Sequence, residues 1–316
     1  MNSAELKDLA ERTRFMREVG IAILLASGIL ATTILITSMF TKPISPKHIA
    51  GAVPTVPDSF SKVQIDAKAA IVYDLATGET LYAKNPEAQL PLASLTKLLT
   101  VYAAVRNLSQ NTLITIPAEA TQVEAPHALK AGQTFTLADL ARITLTASLN
   151  DGAAAIAKIV AAQEDVSEHA LLAGAAAALD LSQTYALNGS GLDESATMSG
   201  GYGSASDLAR LAGAVVEQAP AIARATTEAK VTARSEQGAA LTVKNTDPMV
   251  ASIPRLLLSK TGYTDLAGGN LALVFDAGIM HPISIIVLGS SKNARFTDGT
   301  ALVAATIAHF AGVSSL

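Results

Sequence analysis

Hydrophobic positions along this chain fall into three regimes. The first is an uncharged run without a polar face, residues 19–41 (VGIAILLASGILATTILITSMFT). The second is a set of short apolar and β-branched runs bounded by turn residues, at 69–74 (AAIVYD), 79–84 (ETLYAK), 255–260 (RLLLSK), 270–276 (NLALVFD) and 282–288 (PISIIVL). These read as strands. Leu-Ala-Thr-Gly between the first two is a hairpin signal, with Gly78 able to take positive φ. The third regime is apolar residues at helical spacing, over 95–105, 137–146, 151–162, 168–179, 206–216 and 300–310. Thr136 and Ser167 stand where N-caps belong. Strands at both ends of the chain with an alanine-rich helical middle predict an α/β domain of the α+β type. It would have an about five-stranded antiparallel sheet flanked by helices, with a helical subdomain inserted.

The uncharged run is about the 20 residues that a helix needs to cross a bilayer. Lys7, Arg12, Arg14 and Arg17 precede it, while only Lys42 and Lys47 closely follow. The positive-inside rule then puts residues 1–18 in the cytoplasm and the body outside, with 19–41 as a single transmembrane anchor. A cleaved signal peptide is the alternative, since Ala50-Gly51-Ala52 has the small-x-small form of a cleavage site. The run is longer than a signal core of about 7 to 15 residues, and that site lies far past its end. Residues 42–62, with four prolines among polar and small residues, read as an extended linker. Residues 63–316 are then the folded domain.

Composition narrows the chemistry. Half of the 316 residues are hydrophobic, so a sizeable core is expected. A net charge of -4 offers no basic face for nucleic acid. The absence of cysteine removes disulfides, thiolate metal sites and thiol nucleophiles together. His48, His127, His169, His281 and His309 are scattered, with no H-x-x-x-H pair, so no zinc centre is expected. No G-x-S-x-G elbow is present. Gly200-Gly201-Tyr202-Gly203 lacks the lysine of a phosphate loop and reads as a turn.

What remains is hydroxyl and amine chemistry. Ser94-Leu95-Thr96-Lys97 opens a helical pattern, and residues three apart share a helix face. The Ser94 hydroxyl and Lys97 amine can therefore meet, a geometry that suits a nucleophile and its base. An isolated S-x-x-K carries little weight, and Ser59-Phe60-Ser61-Lys62 has it in the linker. Ser148-Leu149-Asn150 lies between two predicted helices, where capping is the structural alternative. Lys260-Thr261-Gly262, continued by Tyr263, ends a strand. There Lys260 would be the cation that depresses Lys97, Gly262 would admit a substrate backbone, Thr261 would bond a carboxylate, and the Tyr263 N–H would point into the site. The order S-x-x-K, S-x-N, K-T-G on a helix start, an inter-helix loop and a strand end is specific where each triplet alone is not.

With these motifs, residues 68–310 resemble the serine D-alanyl-D-alanine carboxypeptidase family, the low-molecular-mass penicillin-binding proteins with a β-lactamase-like transpeptidase fold. Supporting segments are Ala70-Ile71-Val72-Tyr73-Asp74 with Gly78, Pro91 to Lys97, Leu145 to Asp151, Gly191-Leu192-Asp193, Ser204 to Leu208 and Lys260 to Thr264. The resemblance implies a nucleophilic Ser94, Lys97 as general base, and Ser148 and Asn150 orienting substrate and relaying protons. It implies that Lys260 and Thr261 hold the terminal carboxylate and that the Ser94 and Tyr263 amides form an oxyanion hole. It also implies peptidoglycan stem peptides as substrate, β-lactams as covalent inhibitors, no cofactor, and a place on the outer face of a bacterial cell membrane. Asp193 and Asp207 are given structural roles.

Three departures stand out. Leu149 replaces the usual glycine and would narrow the cleft. Tyr263 stands where histidine is common. No further domain or amphipathic helix follows Phe310, so the N-terminal helix would be the sole anchor. Two rivals share the motifs. A β-lactamase would need a glutamate-positioned water, but no E-x-x-L-N follows Asn150, and Glu164 and Glu168 sit in helical patterns. A catalytically silent wall-binding protein is the second, motivated by Leu149.

Overall fold

The computed structural model of the chain describes residues 59–312 and, nearer the N-terminus, Lys7, Thr13, Arg14, 16–21 and 23–28. It divides into two compact units, Met1–Thr55 and Val56–Leu316. In the first, the described residues are helical. Among the described residues no helix is long and apolar enough to cross a membrane. Most of the expected span 19–41, and the linker as far as residue 58, lie outside the described residues.

In the second unit the folded body begins earlier than the expected Val63. Ser59 and Phe60 are buried, and the Phe60 ring packs against Tyr82 and His309. The chain then forms β1 (Ala69–Asp74), β2 (Thr80–Lys84), the short β3 (Leu90–Pro91) and helix α1 (Thr96–Asn107), which is led by a single 3-10 turn at Ala93–Leu95. Next come β4 (Leu113–Thr115), β5 (Thr134–Thr136) and three helices, α2 (Leu137–Ala147), α3 (Asn150–Gln163) and α4 (Glu168–Ala177). Thr136 and Ser167 cap α2 and α4 by accepting from the Asp139 and Ala170 amides, as their side chains suggested. Short β6 (Tyr185–Ala186) and β7 (Gly201–Gly203) precede α5 (Ala205–Gln218), α6 (Pro220–Ala225) and the hairpin β8 (Lys230–Arg234) and β9 (Ala240–Lys244). Three long strands, β10 (Leu256–Thr264), β11 (Gly268–Asp276) and β12 (Pro282–Ser290), lead to α7 (Ala294–Phe310).

The main sheet has five strands in the order β10-β11-β12-β1-β2, every neighbour antiparallel. Its central strands are buried on both faces. Val72, Leu271, Leu273, Phe275, Ile283, Ile285 and Val287 pack with Leu302, Val303 and Ala305 of α7. Ile71, Ala272, Val274, Ile286 and Leu288 join the larger core made with the helices on the other face. Two buried faces explain why these strands read as continuous apolar runs rather than alternations.

Gly200–Gly203 is not the turn expected. Gly201–Gly203 is a strand pairing with both β3 and β6, and Gly201 leaves room for Thr96 at the start of α1. Helix α7 starts six residues before the expected 300. Its first turns carry buried Arg295, Asp298 and Gly299, which break the apolar period. Asp298 accepts from the Asp66 and Ala67 amides and the Ser290 hydroxyl, fastening the entering chain to this helix.

Candidate active site

Three elements converge. The first is the start of α1, which places Ser94 in the 3-10 turn and Lys97 one turn on, fully buried. The Lys97 ammonium lies 2.8 Å from Ser94 Oγ, 2.7 Å from Asn150 Oδ1 and 2.7 Å from the Ser190 carbonyl. The second is the link between α2 and α3. Ser148 there adopts a left-handed conformation (φ 58°), which ends α2. Rather than capping a helix, its hydroxyl receives a 2.8 Å hydrogen bond from Lys260. Asn150 opens α3, and its amide nitrogen donates to the Glu124 and Ala125 carbonyls, each at 3.0 Å. Those two acceptors fix the amide's orientation, so its oxygen must face Lys97.

The third element is β10, an edge strand of the sheet. Lys260 is fully buried on it and also donates to the Thr261 carbonyl at 2.7 Å. The Thr261 hydroxyl is 2.6 Å from that of Thr246. Gly262 lies directly against the nucleophile's turn. A methyl group there would lie 2.9 Å from the Leu92 carbonyl and 3.2 Å from the Ser94 amide, so glycine is what lets β10 close on the nucleophile's turn. Tyr263 is exposed, its ring beneath the Lys292 ammonium at 5.1 Å.

Burial governs the electrostatics. It draws Lys97 down to about 7, with the Asp151 carboxylate partly opposing the shift. Burial, rather than the expected repulsion from Lys260, is the leading cause. Lys260 is itself held well below its ordinary value, by burial first and then by the charges of Lys97 and Arg295. Both buried amines are thus biased towards the neutral form.

Four contributors escaped the sequence reading. The Ser190 carbonyl completes the Lys97 shell, and it adjoins the Gly191-Leu192-Asp193 segment that had been noticed. Asp151 accepts from the Ala128, Leu129 and Gly152 amides, so it holds the segment whose carbonyls orient Asn150. Thr246 reaches Thr261 from the loop after β9. Arg295 donates to the Gly262 carbonyl, and as a lone arginine in a helix it carried no motif. Leu149 is buried in the helical core, where its side chain is a packing residue. Asp193 accepts from Thr264, and Asp207 from Gln183, Thr184 and the partly exposed Arg210. A hydroxyl held on a buried amine whose affinity for a proton is lowered, beside a second amine and an edge strand, is equipped for acyl transfer.

Comparison with known proteins agrees with this chemistry. Residues 56–291 match the family described as D-alanyl-D-alanine carboxypeptidase. D-alanyl-D-alanine carboxypeptidase DacB2 of Mycobacterium tuberculosis is 32% identical over 219 residues, covering 69% of this chain and 71% of that protein. DacD of Salmonella typhimurium is 28% identical over 271 residues, 82% of this chain and 66% of the relative. The crystal structure of penicillin-binding protein D2 from Listeria monocytogenes in its ampicillin-bound form superposes with a TM-score of 0.66 at 26% identity, over 77% of this chain and 98% of that one.

Proposed function

The chain belongs to the D-alanyl-D-alanine carboxypeptidase family of serine peptidases, and from that premise we propose that it removes the terminal D-alanine of cell-wall stem peptides through an acyl-enzyme on Ser94. The observation that carries this is the set of three partners around Lys97. A neutral amine has two protons and one lone pair. Asn150 Oδ1 and the Ser190 carbonyl can only accept, so they take the two protons. The lone pair is left facing the Ser94 hydroxyl.

Ser94 Oγ then bonds to the carbonyl carbon of the penultimate D-alanine as its proton passes to Lys97 Nζ. The carbonyl oxygen gains charge and meets the backbone N–H groups of Ser94 and Tyr263. Collapse of this intermediate breaks the peptide bond. The departing amine takes a proton from the Ser148 hydroxyl, which Lys260 backs, and the proton that Lys97 gained passes on to Ser148, so that both groups return to their starting state. Water next adds to the Ser94 ester, and its breakdown frees the shortened peptide and the serine. Lys260 and Thr261 receive the substrate's terminal carboxylate. β-Lactams enter the same path, but ring opening leaves no group to depart, so the ester persists. The Listeria relative, solved with ampicillin and with cefotaxime, supports that extension.

Residues 19–41 act in this reading as a single membrane anchor that holds the catalytic body outside the cell. The uncharged run and the four cations before it support this. Incubating the protein with a stem pentapeptide and assaying free D-alanine tests the activity. Release by the wild type and none by Ser94→Ala is expected, and no release by either would reject it.

A further inference from the structure

We propose that the loop between β11 and β12 docks into the surface of a lipid bilayer and holds the catalytic cleft at a fixed height above it. The proposal rests on the N-terminal anchor argued above. Ile279 and Met280 at the loop's tip are 97% and 86% exposed, the most exposed of the large hydrophobic residues among those described. Met280 also has positive φ (56°), a conformation that side chains other than glycine seldom adopt. The tip is built from below. Asp276 accepts from the Gly278 and His281 amides, and the exposed Arg255 donates to the Asp276 and Ala277 carbonyls. His281 is held from the sheet side, 2.6 Å from the buried Asp74 carboxylate.

What covers this tip follows from where the chain enters the body. Phe60 stands at the start of the described body, beyond an N-terminal stretch that includes the uncharged run. Its ring lies 5.9 Å from His309, which lies 5.3 Å from Phe310, which lies 4.8 Å from His281, adjacent to Met280. The point where the anchored segment joins the body and the apolar loop therefore share one end of the molecule. Phe310, partly exposed, extends the apolar surface between them, and Arg255 at the loop's base suits anionic headgroups.

The catalytic residues lie towards the other end of the same strands. Lys260 and Tyr263 pair with Ala272 and Gly269, whereas the loop starts after Asp276. At roughly 3.3 Å per residue the cleft sits on the order of 20 Å from the tip. A linker of about 17 residues would by itself let the body wander through roughly 55 Å. Docking would replace that freedom with one height and one orientation, the cleft facing away from the membrane.

The absence of cysteine makes the test direct. Ile279→Cys, and Ala196→Cys on the cleft rim beside Tyr263, each carry an environment-sensitive fluorophore. The full chain is reconstituted in phosphatidylethanolamine and phosphatidylglycerol vesicles containing shallow doxyl-labelled lipid. Flotation with the vesicles is scored first. If the protein floats, label at 279 should shift to the blue and lose about half its emission or more, while label at 196 is unchanged. Adding Met280→Asp to the Ile279→Cys variant should reduce the quenching severalfold. Flotation without quenching at 279 overturns the docking and leaves the anchor standing. Equal quenching at both positions also overturns it. Failure to float removes the anchor and the docking together. A blue shift on concentrating the protein without lipid would assign the loop to a second copy of the chain, and that too would overturn the proposal.

Discussion

Lys97 has three polar neighbours and, once neutral, only two protons to donate, so its protonation state decides whether Ser94 can be activated. Burial brings its value down to about 7 from an ordinary 10.5, a shift against the charged form. The sign follows directly: below about pH 7 the amine is protonated and has no lone pair, and above it the neutral form dominates. The rate of penicillin acylation should therefore climb about tenfold per pH unit on the acid side and level off above about 7. A rate still climbing at the pH where ordinary lysines titrate would contradict this. Lys97→Ala removes the base and leaves the Asn150 and Ser190 oxygens without their donor. Acylation should fall about 100-fold or more, measured by stopped-flow with a fluorescent penicillin. A rate comparable to that of the wild type would reject the assignment.

Among the elements, the contact between β10 and the turn before α1 fixes the site's geometry. Gly262→Ala would set a methyl group against backbone at Leu92 and Ser94, neither of which can swing aside. It should cost about 1–3 kcal/mol of stability, read by denaturant unfolding, and slow acylation as β10 is displaced. Gly174→Ala in α4 is the counterpart, since nothing lies within 4 Å of the added methyl. It should raise stability by about 0.5–1 kcal/mol, and loss of stability there would contradict the packing described. The long strands were legible because burial on both faces writes them as unbroken apolar runs. The β8 and β9 hairpin was not, since its buried positions include a small Ala233 among exposed Lys230, Thr232 and Arg234. The motif residues were legible as triplets, and their partners outside the motifs were not. The Ser190 contribution is a backbone carbonyl, which no residue type encodes. The role of Arg295 exists only because α7 packs against β11 and β12, which brings its guanidinium to the Gly262 carbonyl of β10. At Gly262 the sequence shows that a side chain is missing, but not that the Leu92 carbonyl and the Ser94 amide are what a side chain would meet.

At the scale of the whole molecule, the proposed anchor is the feature that most needs its own test. Expressed with its native N-terminus, the protein should keep Met1 or Asn2 and remain with membranes through high-salt washing. A mature N-terminus at Val53 would show instead that the uncharged run is a cleaved signal. Every step of the proposed reaction passes through the Ser94 ester. It is tested most directly by treating the protein with penicillin, digesting it and locating the adduct by mass spectrometry. The prediction is one penicilloyl group on the peptide that contains Ser94, absent from Ser94→Ala. A stable adduct on any other residue, or none in the wild type, would contradict it.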